Sequence, residues 1–106
     1  MNKDNNTRMA LCPVLMEDVV HGLKKITIRD GYRDIRLGTA FFSTPDGAHE
    51  VHILVTKVEH CALDQVSIES LRLDGFHSLA EAVEGMKEYY PEITDTSEVT
   101  VIHFIY

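Results

Sequence analysis

Three side chains with reactive or charged groups lie close together in the first third of the chain: Lys24, Thr27 and Arg29. A threonine hydroxyl becomes a nucleophile when a base takes its proton, and a lysine amine can be that base once its pKa has fallen. Residues three apart in a regular strand point to opposite faces, so Lys24 reaches Thr27 only from an irregular junction before the strand. Arg29, two residues beyond Thr27, shares its strand face and suits contact with an anion or a carbonyl oxygen. Taken alone, the same pattern also fits a solvated lysine and an ordinary strand threonine.

The histidines of the chain do not have the spacing of a metal site. His49 and His52 are three residues apart on a predicted strand, whereas the helical zinc motif places its histidines four apart on one face. His60 and Cys61 are adjacent and do not easily share a face. The sequence also lacks the glycine-rich patterns that bind dinucleotides or nucleoside triphosphates. We therefore predict no metal and no cofactor.

The composition indicates one small globular domain with an acidic surface. The chain has 106 residues, of which 44% are hydrophobic and 25% charged, and its formal net charge is -7. Non-specific binding to long nucleic acids depends on Lys and Arg, so this charge favours a small ligand. Cys12 and Cys61 suggest the reduced cysteines of a cytoplasmic protein, and no apolar run approaches the ~20 residues needed to cross a membrane. We predict a disordered tail over residues 1–8 and a single domain over residues 9–106.

Hydrophobic periodicity predicts an α+β chain. Thr44-Pro45-Asp46-Gly47 predicts a tight turn, and Ser78 with Glu81 predicts a capping box at the start of a helix. Helices are predicted over residues 17–23, 64–73 and 78–90, and strands over residues 26–29, 35–43, 49–60 and 98–106. Strands joined by hairpins indicate a mostly antiparallel sheet, which we expect to curl into a β-barrel with two to three helices packed at one end.

The segment Gly22-Leu23-Lys24-Lys25-Ile26-Thr27-Ile28-Arg29 resembles the G-x-K-x-x-T-x-R signature of ASCH domains. As in that family, it lies between a short helix and a strand. Leu37-Gly38, Leu73-Asp74-Gly75-Phe76 and Tyr89-Tyr90-Pro91 resemble later segments of the family, although Thr39 stands where an acidic residue is usual. The resemblance covers about residues 14–106 and implies a PUA-like fold.

The small bacterial ASCH proteins that this chain resembles include amidohydrolases that remove the acetyl group from N4-acetylcytidine. The resemblance therefore implies hydrolysis of this or a related acylated nucleoside. It implies catalytic roles for Lys24 as base, Thr27 as nucleophile and Asp74 as acid, with Arg29, Lys25 and Phe76 contacting the substrate. The family enzymes carry Glu, which is one methylene longer, at the position of Asp74, and Glu69 is the second candidate for the acid.

The same resemblance also fits a second kind of protein. PUA-like domains often bind RNA, and Lys24, Lys25 and Arg29 would then contact phosphates around a base; an RNA-cleaving nuclease could use the same basic cleft. The expected partners are a small nucleoside and, in this alternative, RNA, but no membrane. Tyr32, Phe76 and Tyr89 are the aromatic residues considered for stacking on a base.

Overall fold

The computed structural model describes residues 7–106. The described residues divide into two compact units: the first comprises residues 7–25, Ile35–Val58 and His103–Tyr106, and the second comprises Ile26–Asp34 and Glu59–Ile102. Residues 1–6 of the predicted tail lie outside the described part. Thr7 and Arg8, which the sequence analysis also assigned to that tail, lie in a strand.

Five strands and three α-helices make up the described residues. In chain order they are β1 (Thr7–Ala10), α1 (Pro13–Val20), β2 (Ile26–Asp30), β3 (Gly38–Ser43), β4 (Glu50–Ala62), α2 (Ile68–Leu73), α3 (Leu79–Met86) and β5 (Glu98–Ile105), with a 3-10 turn over Leu63–Gln65 before α2. The strands form one sheet in the order β1-β3-β4-β5-β2. β3 pairs antiparallel with β4, as predicted, but β1 pairs parallel with β3. The α+β class is confirmed, with a mixed sheet.

The first unit is built around α1 and the strands β1 and β3. Pro13 occupies the first helical position, where its missing N–H costs no hydrogen bond. Met16 and Val19, one turn apart, are buried from this helix, and Ala40 and Phe42 are buried from β3. The Phe42 ring meets that of Phe104 edge to face, with centroids 5.0 Å apart. These side chains form an apolar interior for the unit.

The turn between β3 and β4 is held by a buried hydroxyl. Thr44 is 4% exposed, and its hydroxyl donates to a carboxylate oxygen of Asp46 over 2.7 Å. The same hydroxyl accepts from the His49 amide, and the Asp46 carboxylate accepts from the Ala48 amide. Gly47, with φ of 75°, takes the left-handed position that glycine favours. The predicted turn is confirmed.

The second unit has its own apolar core beneath α2 and α3. The buried residues of this core are Ile26, Ile28, Leu63, Leu71, Ala82, Met86, Ile93, Val99 and Val101. Ile26 and Ile28 lie two apart in β2, so they share one face of that strand. The opposite face of β2 is therefore the face of Thr27 and Arg29.

The predicted capping box of α3 is present in a shifted form. Ser78 is the N-cap, and its hydroxyl accepts from the Glu81 amide over 3.1 Å. Glu81 reaches back to the amide of His77, one residue before the cap. The helix ends at Met86, four residues before the predicted end at residue 90. Residues 87–89 form turns, and the amide of Tyr90 bonds to the carbonyl of Met86 at 2.8 Å.

Candidate functional site

The motif from Gly22 to Arg29 begins where α1 ends. Gly22 has φ of 74°, a conformation that L side chains rarely adopt. This turn brings the amides of Leu23 and Lys24 back to the carbonyl of Asp18, at 2.7 and 3.0 Å. The backbone of Lys24 is thus bonded in an irregular junction before β2, as the sequence analysis required.

Thr27 and Arg29 form the centre of the candidate site. Thr27 is 5% exposed, and its hydroxyl oxygen accepts a hydrogen bond of 3.0 Å from the Arg29 Nε–H. Within the described residues of its own unit, the Thr27 hydroxyl donates to no protein acceptor. The side chains share one face of β2, as predicted, and the arginine fixes an acceptor lone pair of the hydroxyl.

The half-buried guanidinium of Arg29 lies among ionisable groups of the same unit. Burial lowers the pKa of Arg29. Tyr90 and Asp74 act to raise this pKa, whereas the positive charge of Arg33 acts to lower it. Tyr90 also shares a side-chain hydrogen bond with Arg29. An arginine remains charged under these conditions because its pKa starts so high. The site therefore places a fixed positive charge against the Thr27 oxygen.

Asp74 is brought toward this cation by the end of α2. It is the C-cap of that helix, and its amide bonds to the carbonyls of Ser70 and Leu71. Gly75, with φ of 94°, then reverses the chain so that the amide of Phe76 reaches the carbonyl of Leu71 at 2.8 Å. Asp74 is half-buried and near enough to Arg29 to act on its charge. Glu69 is exposed in the first turn of α2.

Phe76 is held by packing in the second unit. It is half-buried against the apolar core, and its ring fills the space beside Gly85: a Cβ at position 85 would lie 2.6 Å from Cε1 of the ring. These contacts account for the position of Phe76. Its contact with substrate stays a prediction.

The two lysines of the motif belong to the first unit. Lys24 is half-buried and engaged by another group. Lys25 is exposed, and its carbonyl accepts from the Phe104 amide over 3.1 Å. Their contributions to catalysis and substrate binding remain predictions.

A second buried threonine organises the loop that follows β2. Thr100 is fully buried; its hydroxyl donates to the Gly31 carbonyl and accepts from the Arg33 amide, both at 2.8 Å. The Nδ1 of His60 lies 3.2 Å from the same oxygen, and the His60 ring stacks on Tyr32. Sequence reasoning considered His60 only as a metal ligand and missed Thr100. The available signal was a hydroxyl placed between Val99 and Val101 in a buried strand.

The histidines considered as metal ligands have different neighbours in the structure. The His49 amide bonds to Thr44, whereas His52 lies beside Glu50 and edge-on to Phe41. No group of three or more His, Cys, Asp or Glu side chains among residues 7–106 is arranged to hold a metal ion. No helix in that range is long and apolar enough to span a membrane.

Comparison with known proteins shows what this fold resembles. No protein-family model and no curated protein matches the sequence. An ASCH domain from Lactobacillus crispatus superimposes with a TM-score of 0.72 at 19% identity, covering 95% of this chain and 80% of its own. A protein from Enterococcus faecalis described by the family model DUF984 gives 0.73 at 16% identity, covering 99% and 82%. The hypothetical protein PH0355 gives 0.66 at 20% identity, covering 94% and 97%. These likenesses confirm the fold predicted from the motif.

Proposed function

From the ASCH-type fold that this chain shares with those structures, we propose that the protein is an amidohydrolase that removes the acetyl group from N4-acetylcytidine or a related acylated nucleoside. Thr27 is the nucleophile, Lys24 the base and Asp74 the acid. Arg29 holds the nucleophile, and Lys25 and Phe76 complete the substrate contacts.

The hydrogen bond from Arg29 Nε to Thr27 Oγ1, at 3.0 Å, is the observation that carries this proposal. A buried hydroxyl that accepts from a cation is stabilised when it loses its proton, because negative charge then develops next to a fixed positive group. Because Arg29 donates to the Thr27 oxygen, the hydroxyl proton points away from the arginine, where a base can take it.

The proposed reaction has two stages. The Thr27 oxygen attacks the acetyl carbonyl while Lys24 takes the hydroxyl proton, and the C–N bond breaks as the exocyclic nitrogen of cytidine receives a proton from Asp74. Water then attacks the acetyl–threonine ester: one of its protons returns to the Asp74 carboxylate and its hydroxyl group joins the acetyl carbon. The ester bond breaks as Lys24 returns its proton to the Thr27 oxygen, and acetic acid leaves and ionises in solvent, which regenerates the enzyme. No oxidant, reductant or metal is required.

The nearness of Arg29 and Asp74 makes the role of the carboxyl group testable. Proton donation to the leaving nitrogen requires the protonated form of the carboxyl group, and Asp74 lies near the charge of Arg29. Asp74→Asn tests the acid role because the asparagine amide keeps the shape of the carboxyl group but has no acidic proton to donate. An acid role predicts that turnover collapses in Asp74→Asn while Glu69→Gln stays active; the reverse result assigns the acid to Glu69.

The direct test is release of cytidine from N4-acetylcytidine, followed by chromatography, for the wild type, Lys24→Ala and Thr27→Ala. We expect wild-type turnover and its loss in both variants. Thr39→Ala and Lys87→Ala are matched controls, since both side chains are exposed and outside the proposed machinery. No cytidine release by the wild type at high enzyme concentration contradicts the proposal, as does equal turnover by Thr27→Ala.

A non-catalytic RNA-binding module is the second candidate, and one observation favours it. The charge of Arg33 is close enough to Arg29 to lower its pKa, and neighbouring guanidinium groups suit a phosphate. RNA binding of this kind weakens steeply with salt, whereas turnover of a neutral nucleoside does not. Salt-sensitive RNA binding with no hydrolysis would replace the first proposal with this one, and RNA cleavage would indicate the nuclease.

A further inference from the structure

An exposed pair of aromatic rings lies in the second unit, apart from the Thr27–Arg29 contact. The rings of Tyr32 and His60 stack with centroids 4.1 Å apart and planes inclined by 19°. Both residues are exposed, and Tyr32 keeps 63% of its surface open to solvent. Two nearly parallel rings at the surface present a flat face of π-electrons, which core packing alone does not require.

The hydrogen bonds of Thr100 determine how the His60 ring is protonated and oriented. A threonine hydroxyl has one proton to donate and two lone pairs with which to accept. Its proton goes to the Gly31 carbonyl and one lone pair accepts from the Arg33 amide. The contact with His60 Nδ1 at 3.2 Å must therefore be a donation from an Nδ1–H. In the neutral ring this leaves the lone pair on Nε2, at the free edge.

Tyr32 is held on both sides by the same hydroxyl. Gly31 precedes it and Arg33 follows it, and the backbone groups of both bond to Thr100. Gly31 also donates its amide to Glu98, and the Arg33 Nε bonds to the carbonyl of Asp30. The exposed ring thus stands on a backbone with little freedom, so a ligand that stacks on it pays little ordering entropy.

Arg33 connects this pair to the candidate site along the chain. Arg33, the residue next to Tyr32, lies near enough to Arg29 for its charge to lower the pKa of that group, and Arg29 contacts Thr27 directly. The ring pair, the two arginines and the candidate nucleophile belong to the same unit of the chain.

We propose that Tyr32 and His60 form a stacking platform for the pyrimidine ring of a nucleoside, with the base lying on the exposed face of Tyr32 and His60 supporting the ring from behind. The identity of the base rests on the proposed function; the stacking itself does not. Aromatic faces bind bases without reading their edges, so the platform gives affinity and orientation, and discrimination comes from the polar groups beside it.

Calorimetric titration with cytidine, the proposed product, tests the platform without any need for turnover. The proteins are the wild type, Tyr32→Ala, Tyr32→Phe and His60→Ala, with D-ribose as the ligand that lacks a ring. Tyr106→Ala is the matched control, because Tyr106 is similarly exposed at 67% and lies in the other unit. Thermal unfolding of each variant establishes that it is folded.

We expect the Kd for cytidine to rise by about fivefold to a hundredfold in Tyr32→Ala, by less in His60→Ala, and by under about twofold in Tyr32→Phe, which keeps the ring. Ribose should not bind, and Tyr106→Ala should match the wild type. Unchanged affinity in folded Tyr32→Ala overturns the proposal, and so does an absence of saturable cytidine binding by the wild type.

The result also separates this proposal from the hydrolase. Cytidine binding that depends on Tyr32, in a protein that does not release acetate from N4-acetylcytidine, keeps the platform and removes the proposed activity. Hydrolysis with a KM that Tyr32→Ala leaves unchanged keeps the activity and removes the platform.

Discussion

Two buried threonines of the second unit use the same side chain in different ways. Thr100 has its whole hydrogen-bonding capacity satisfied by Gly31, Arg33 and His60. Thr27 accepts from Arg29 and commits its proton to no acceptor among the described residues of that unit. A saturated hydroxyl fixes structure, whereas a polarised hydroxyl with an uncommitted proton is prepared for chemistry. Burial alone, 0% for one and 5% for the other, does not separate them; their partners do.

The largest effect should come from removing the Thr27 hydroxyl. Thr27→Val keeps the shape of the side chain but has no nucleophile, so turnover of N4-acetylcytidine should fall by about 10³-fold or more. Thr27→Ser keeps the hydroxyl and should remain within about tenfold of the wild type. Initial rates of cytidine release measure both variants. Full activity in Thr27→Val would show that the Thr27 hydroxyl, like that of Thr100, is not the nucleophile.

Replacing the partner of Thr27 should have the next largest effect. Arg29→Lys keeps a charge but cannot bond to Thr27 through Nε while also meeting Tyr90, so turnover should fall by about 10²-fold. Arg8→Lys is the control: its pair with Glu50, at 2.9 Å, is exposed and contributes at most about 1 kcal/mol to stability. Equal turnover in both variants would show that the reaction needs a positive charge at position 29 but not the guanidinium group of arginine.

Thr100→Val should affect stability more than chemistry. The change leaves the Gly31 carbonyl and the Arg33 amide without their shared partner, which costs about 2 kcal/mol and lowers Tm by about 10 °C. Thr100→Ser should recover most of that loss. Differential scanning calorimetry measures Tm, and the rate measured well below Tm should change far less than in Thr27→Val. A collapse of turnover in stable Thr100→Val would assign Thr100 to the reaction.

The smallest predicted effect concerns Asp46, which bonds to the buried Thr44, and it is seen only when stability is compared at different pH values. The amide of Ala48 and then the hydroxyl of Thr44 lower the pKa of Asp46. Because the folded pKa lies below the unfolded value of about 3.9, the resulting stability is present above that value and is lost as pH falls through the folded pKa. The stability difference between wild type and Asp46→Asn, from urea unfolding, should therefore be largest near neutral pH and shrink toward pH 3. A constant difference would mean that Asp46 acts through shape alone.

The sequence was most informative where neighbours in the chain are neighbours in space. The alternation of Ile26, Thr27, Ile28 and Arg29 placed the threonine and the arginine on one face, and the structure adds the bond between them. Ser78 marked the start of α3 for the same reason, since an N-cap acts within one turn.

Sequence reasoning failed where position depends on distant partners or where an element boundary has a weak signal. The first helix, predicted over residues 17–23, lies over Pro13–Val20 with proline at its first position, where the missing N–H costs no hydrogen bond. Strand β1 carries little local signal and exists through parallel pairing with β3. The contact between Thr100 and His60 joins residues 40 apart, and no local periodicity encodes it.

The fit between Phe76 and Gly85 also constrains how this sequence can diverge. A glycine inside α3 carries a helix-propensity cost of about 1 kcal/mol relative to alanine, yet a Cβ at position 85 would lie 2.6 Å from the ring. The combined volume of the side chains at positions 76 and 85 is therefore limited: one can become larger only if the other becomes smaller. In homologous chains with this packing, a larger residue at position 85 should be accompanied by a smaller one at position 76, and such paired changes would record the contact in sequence covariation alone.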